Sequence, residues 1–74
     1  MELIYKNIIG EIFSRDTDYR LYCEDISLRR EKEIIDELGD SVKVIEKCEG
    51  NFDKSFIVDF EEEMLEAVKS LIDL

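Results

Sequence analysis

The change of hydrophobic period along the second half of the chain constrains the fold most. Val42, Val44 and Cys48 alternate with polar residues, which is typical of a strand that buries one face. A turn is predicted at 49–51, because Gly and Asn tolerate positive φ. Apolar side chains of a single parity follow, namely Phe52, Phe56, Val58 and Phe60. Beyond them the apolar residues recur every three or four positions, which predicts a β-hairpin followed by a helix over 60–73.

The start of this second helix carries two further signals. Asp59 is followed three residues later by Glu62, the spacing of a capping box in which each side chain accepts from a free backbone N–H. Glu61, Glu62 and Glu63 also stand where the helix dipole favours negative charge. The sequence therefore predicts that Asp59 caps the helix.

A first helix is predicted over 27–38. Ser27 is a suitable N-cap, and the apolar residues that follow it return at helical spacing. Gly39 can supply the left-handed conformation that ends such a helix. Before this helix, residues 19–23 alternate between apolar and polar side chains, which predicts another strand.

The first 14 residues fit two structures. Their apolar positions match a helical stripe, and they also match a strand over 8–13 that turns into the strand at 19–23. Gly10 disfavours the helix by about 1 kcal/mol relative to Ala. Four isoleucines, which are β-branched, favour the strand as well. The strand is preferred, and the helix is left open.

Together these elements predict one α+β domain that covers residues 1–74. The expected architecture is an antiparallel sheet with two helices packed on one face, because an amphipathic helix must bury its apolar stripe against another layer. The element order is ββαββα, or αβαββα if the N-terminus is helical. Seventy-four residues are too few to divide into two domains with separate cores.

The composition argues against catalysis. The chain has no histidine, so a Ser–His or Cys–His pair is impossible within it. Cys23 and Cys48 are the only cysteines, and neither belongs to a paired metal-ligand motif, so both are predicted to be small buried hydrophobes. We expect a non-enzymatic protein with no metal and no cofactor.

The net charge of the chain disfavours two classes of partner. Ten Lys and Arg against 20 Asp and Glu give a net charge of −10, which disfavours direct binding to nucleic acid or to an anionic membrane. Apolar runs are far shorter than the roughly 20 residues of a membrane span, and the N-terminus lacks the pattern of a signal peptide. A soluble cytoplasmic protein is expected.

Half of the net charge lies near the C-terminus. Residues 55–74 hold six acids and one lysine, which gives −5. Asp59, Glu62, Glu63 and Glu66 recur at three- and four-residue spacing, so a helix would line their carboxylates along one flank at about 5–6 Å intervals. This flank is the predicted partner-binding site, and it suits a protein with a basic, nucleic-acid-binding surface.

The small size, the acidity and the lack of histidine resemble a class of phage-encoded inhibitors that includes anti-CRISPR proteins and DNA-mimicking inhibitors of repair enzymes. The resemblance implies a small acidic inhibitor or modulator of a basic partner. The alternative is a structural subunit or homodimeric interaction module, whose contact is expected on the apolar residues of the N-terminal hairpin, because a thin core favours self-association.

Overall fold

Five strands and two helices make up the chain in a computed structural model that describes residues 1–50 and 53–74. The strands are β1 (Glu2–Lys6), β2 (Glu11–Ser14), β3 (Tyr19–Cys23), β4 (Val42–Glu46) and β5 (Phe56–Phe60). The helices are α1 (Leu28–Leu38) and α2 (Leu65–Ile72). Short 3₁₀ turns follow α1 at Gly39–Ser41 and precede α2 at Glu62–Met64.

The strands form one antiparallel sheet in the order β1-β2-β3-β5-β4. The two central strands pair Leu21 with Val58, and both of these side chains are fully buried. Because side chains alternate across a strand, the neighbouring positions Arg20 and Asp59 lie on the opposite side of the sheet. The sheet therefore has one face in the core and one that the helices leave uncovered, which we call the open face.

The core lies between the sheet and both helices. Ile34 of α1 and Val68 and Ile72 of α2 are 0–1% exposed and belong to one cluster with the inward side chains of the sheet. The sheet contributes Ile12, Leu21, Cys23, Phe56, Val58 and Phe60 to that cluster. Packing both apolar helix stripes on the same face is what leaves the other face of the sheet open.

The predicted fold class is confirmed: the domain is α+β, with an antiparallel sheet and two helices on one face. The observed order is βββαββα, which is the predicted ββαββα order with one more strand at the N-terminus. The preference for a strand over a helix at the N-terminus is confirmed, but the strand predicted over 8–13 is observed at Glu11–Ser14, because residues 7–10 form a turn. β1 is additional to the predicted elements, because the sequence pattern indicates a single strand in this region, over 8–13.

The turn between β1 and β2 explains why the first 14 residues form two strands. The side-chain oxygen of Asn7 accepts from the backbone N–H groups of Ile9 and Gly10 at 2.9 and 3.0 Å, which closes a tight turn. A Cβ at Gly10 would lie 2.6 Å from Cys23 Sγ and 2.9 Å from the Tyr22 carbonyl oxygen. Glycine is therefore required where this turn meets β3, by close approach of the backbone.

Both predicted ends of the first helix are confirmed. Ser27 Oγ accepts from the N–H of Arg30 at 3.2 Å, and Gly39 adopts a φ of 54° after the last turn. Within α1, Glu31 is only 4% exposed. Its Oε1 accepts from the Cys48 N–H at 2.9 Å, so this buried carboxylate anchors the segment that follows β4.

The second half follows the predicted hairpin and helix with narrower boundaries. β4 ends at Glu46, and Cys48 is buried beyond it; Cys23 is buried as well, so the prediction for both cysteines is confirmed. The predicted contributions of Asn51 and Phe52 lie outside the described residues. The helix predicted over 60–73 is a 3₁₀ turn followed by α2.

The predicted capping box is wrong. β5 continues through Phe60 because Phe56, Val58 and Phe60 all face the core, so Asp59 is a strand residue. The residue that precedes the 3₁₀ turn is Glu61, and its side chain makes no capping hydrogen bond. Strand pairing and core packing of β5 therefore override the local pattern that predicted a helix start at Asp59.

Neither helix in the described part of the chain is long and apolar enough to cross a bilayer.

Candidate functional site

Asp59 does not belong to an exposed acidic flank. Its two carboxylate oxygens accept from Arg20 Nε at 2.6 Å and Arg20 Nη2 at 3.0 Å, and Arg15 Nη1 lies 2.5 Å from Oδ2. The two arginines cover the carboxylate, which leaves Asp59 8% exposed on the open face. Hydrogen bonds from Arg20, with those from Arg15, hold the pKa of Asp59 below its usual value. This carboxylate is neutralised within the chain and presents little charge to a partner.

Three consecutive exposed glutamates follow Asp59 and Phe60 along the chain. Glu61, Glu62 and Glu63 are all exposed, at the end of β5 and in the 3₁₀ turn that opens α2. We call these three residues the glutamate turn. Within residues 1–50 and 53–74, none of them makes an ion pair. Their charge therefore faces solvent, although Glu61 lines the same surface cavity as Arg15 and Lys43.

Glu66 lies beyond the glutamate turn on α2. Its side chain is 86% exposed and makes an i,i+3 ion pair with Lys69 at 3.3 Å. The Lys69 ammonium also lies 5.4 Å from the centre of the Tyr5 ring, so this side of α2 faces β1. An ion pair this exposed is weak, so Glu66 remains available to a stronger cationic partner.

The structure thus brings together three of the four predicted site residues and separates the fourth. Glu62, Glu63 and Glu66 share the surface at the start of α2, whereas Asp59 lies in the sheet beneath two arginines. Glu61 belongs with the exposed acids and was not among the predicted site residues. The signal for it was present in the run of three glutamates, but helical spacing was the wrong criterion for a 3₁₀ turn.

The open face does not contribute to the negative net charge. The strand register places two rows of side chains across it: Leu3, Phe13, Arg20, Asp59 and Lys43, then Lys6, Glu11, Tyr22, Ile57 and Glu46. These rows hold three cations and three anions, so their formal charge is zero. The surplus of −10 therefore lies on the helical side, the loops and the chain ends. Most of this surplus lies in the loops, the 3₁₀ turns and the chain ends, because α1 has a net charge of only −1 and α2 is neutral.

The first helix balances part of its own charge. Arg29 and Arg30 both pair with Glu33, at 3.3 and 2.9 Å. Asp36 and Glu37, further along the same helix, are exposed and make no ion pair within the described residues. The last two turns of α1 are therefore net acidic, and they were not singled out from the sequence.

Both cysteine thiols have raised pKa values. Burial raises the pKa of Cys23 to about 12, so its thiol is uncharged at neutral pH. Burial also raises the pKa of Cys48, whose Sγ lies 3.2 Å from the Lys54 carbonyl oxygen. In the described part of the chain, no three Cys, Asp or Glu side chains come together as a potential metal site.

Comparison of the chain with protein-family models, with curated proteins and with solved structures gave no match.

Proposed function

We propose that this protein is a non-enzymatic acidic binding protein that occupies a basic, nucleic-acid-binding surface of a partner protein. The glutamate turn, together with Glu66, is the binding surface. The proposal places the protein in the functional class of small phage-encoded inhibitors, among them anti-CRISPR proteins and DNA mimics. The observation that carries it is the run of three exposed carboxylates that make no ion pair within the described residues, in a domain of net charge −10.

The physical basis is electrostatic complementarity. A patch of like charge on a protein of net charge −10 steers association with a cationic surface and repels nucleic acid that would otherwise occupy that surface. Asp59 is not part of this surface, because its charge is already offset by Arg15 and Arg20. Affinity for the partner should fall steeply as salt is added.

The test compares two triple variants of equal net charge. In the first, Glu62, Glu63 and Glu66 are changed to Lys; in the control, Asp16, Asp25 and Glu49 are changed to Lys. All six positions are exposed, so both proteins should keep the wild-type circular dichroism. Wild type, variant and control are each used to capture proteins from a lysate of the source cells, with elution by a salt gradient.

A protein retained by wild type and control, and lost by the Glu62, Glu63 and Glu66 variant, is then purified. We expect wild type to displace a fluorescent DNA duplex from this protein, and the variant to do so at least about 10-fold less well, because three charge reversals each remove a favourable pair and add a repulsive one. Equal displacement by the variant and wild type would show that the glutamate turn is not the binding surface.

A homodimer is the second candidate, and one observation favours it. The N-terminal hairpin exposes Leu3, Ile4 and Ile8, which are 45%, 39% and 101% exposed. Exposed apolar surface on one hairpin is a feature that interfaces between copies of a chain share. Sedimentation equilibrium at 10 and 300 µM distinguishes the candidates: a concentration-dependent rise in mass that is insensitive to salt supports the dimer.

A further inference from the structure

The helical side of the molecule carries a groove that the glutamate turn does not reach. It has a volume of about 530 Å³ and is lined by residues of α1 and of the C-terminal end of α2. The lining residues are Arg30, Glu33, Asp36, Glu37, Leu71 and Leu74. The glutamate turn lies at the opposite end of α2, so the two surfaces can be changed independently.

The apolar part of the groove is supplied by α2 and the residues that follow it. Leu71 is half-buried and packs against the core, while Leu74 is 83% exposed. No described side chain covers Leu74 in the way that the core covers Leu71. An exposed leucine beside a half-buried one provides an anchoring surface for an apolar side chain of a partner.

The rim of the groove is acidic. Asp36 and Glu37 are exposed and form no ion pair within the described residues, and Glu33 is 44% exposed. The one cation in the lining is already committed: the Arg30 guanidinium donates to Glu33 Oε2 at 2.9 Å and also to the Leu71 carbonyl oxygen. An occupant therefore meets an apolar floor beside uncompensated carboxylates.

We infer that this groove binds a cationic amphipathic helix of a partner protein. Apolar residues of the helix, at i, i+3 or i+4 and i+7, would contact Leu71 and Leu74, and its Lys or Arg residues would face Asp36 and Glu37. The inference rests on the proposed function in that the partner is basic, and it adds a second, apolar contact to the same class of partner. A second copy of this chain is disfavoured, because neither of its helices is cationic: α1 has a net charge of −1 and α2 is neutral.

The probe is a synthetic 16-residue peptide with Leu at i, i+3, i+4 and i+7 and Lys at the flanking positions. The control probe is a scrambled peptide of identical composition, which keeps the charge and loses the apolar stripe. Binding is measured by isothermal titration calorimetry and by ¹⁵N chemical-shift changes on the full chain. We expect the amphipathic peptide to bind at least 10-fold more tightly than the scrambled one, with shift changes centred on the groove.

The decisive variant is Leu74→Asp, and its matched control is Leu28→Asp. Leu28 is an exposed leucine on α1 that does not line the groove, at 51% exposure. Both changes add a negative charge, so a purely electrostatic complex would be strengthened by either one. We expect Leu74→Asp to weaken the amphipathic peptide at least 10-fold, and Leu28→Asp to leave its affinity within 2-fold.

Several results would overturn the inference. They are equal affinity for the two peptides, no binding of the amphipathic peptide at 1 mM, or a Leu74→Asp variant that binds as well as wild type. Shift changes centred on the glutamate turn would overturn it as well. Such a failure is separable from failure of the proposed function, because the Glu62, Glu63 and Glu66 variant tests the other surface and leaves the groove intact.

Discussion

Asp59 shows most directly how one residue can have two local interpretations with different consequences. As a helix cap it would be exposed and would add to an acidic flank. As a strand residue it lies opposite Arg20, its partner in the register between β3 and β5, and its charge is offset. The sheet determines the outcome, because it places a cation from 39 residues away beside the carboxylate.

We predict that Asp59→Asn destabilises the protein by about 2 kcal/mol at pH 7, the scale of lost hydrogen bonds to a charged partner. The folded state holds the pKa of Asp59 below its unfolded value. The stabilisation it provides is therefore present above the unfolded pKa, near 4, and is lost as pH falls through the lower folded pKa. Urea unfolding of wild type and variant between pH 7 and pH 2.5 measures this difference.

The two curves should converge as the pH falls, because protonated Asp59 no longer attracts the arginines. Glu62→Gln serves as the control, since an exposed side chain without an ion pair should change stability by less than about 0.5 kcal/mol. A constant offset between wild type and Asp59→Asn across the whole pH range would show that the ion pairs contribute nothing specific.

At the scale of elements, the sequence predicts a strand or a helix correctly where its apolar residues follow only one hydrophobic period. The single-parity residues of β5 and the helical spacing in α1 and α2 each allowed one structure, and those elements were predicted. The N-terminus allowed two, because a short apolar run rich in isoleucine fits both periods. Contacts more than 60 residues away decide it: Tyr5 donates to the Asp73 carboxylate and Asn7 to the Ile72 carbonyl oxygen.

The sequence predicted that the candidate site would consist of acidic residues, but it did not predict where all of them lie. The excess of acids near the C-terminus is evident from the sequence, and Glu62, Glu63 and Glu66 are exposed as expected. The carboxylates at the end of α1 could not be separated from the balanced ones, because the pairing depends on which rotamers reach Arg29 and Arg30. A charge count per segment cannot resolve pairing between neighbouring turns.

The two edge strands share a feature that no sequence pattern indicated. The register of β1 slips between Leu3 and Tyr5, and that of β4 slips between Val44 and Glu46, so each edge carries one extra residue. In both strands the extra residue is an exposed isoleucine, Ile4 or Ile45. A bulge interrupts the regular row of free N–H and C=O groups that another strand would need for pairing.

We predict that deleting Ile4 increases self-association relative to wild type. The deletion leaves Leu3 opposite Phe13 and Tyr5 opposite Ile12 in unbroken alternation, so β1 becomes a regular edge. Sedimentation equilibrium of the two proteins between 10 and 300 µM provides the measurement, and circular dichroism shows whether the sheet is retained. Ile4→Ser is the control, because it keeps the extra residue and reduces apolar surface. Should the deletion variant sediment like wild type, the bulge would have no role in keeping the edge unpaired.

At the scale of the whole molecule, the charge is unevenly distributed, and the surplus of acids lies mainly outside the strands and the two α-helices. One face of the sheet balances its cations and anions, while the helices, loops and ends carry −10 on a chain whose radius of gyration is 11.2 Å. The Debye length is about 30 Å at 0.01 M salt and about 6 Å near 0.3 M, so at low salt nearly all of these charges repel one another across the molecule. The same negative charge that we propose for partner binding therefore destabilises the folded state through self-repulsion.

We predict that raising NaCl from 0.01 to 0.3 M at pH 7 increases the melting temperature, because screening weakens repulsion among surplus acids more than it weakens the largely buried Asp59 pairs. A gain of about 1 kcal/mol corresponds to about 4–8 °C for a domain of this size. The variant in which Glu62, Glu63 and Glu66 are changed to Lys provides the comparison. Each reversal changes the net charge by two, so the three together bring it from −10 to −4. Its melting temperature should respond less to salt than that of wild type. A melting temperature that falls with added NaCl would mean that native ion pairs outweigh the repulsion, and the acidic surface would then be part of the stability of the fold.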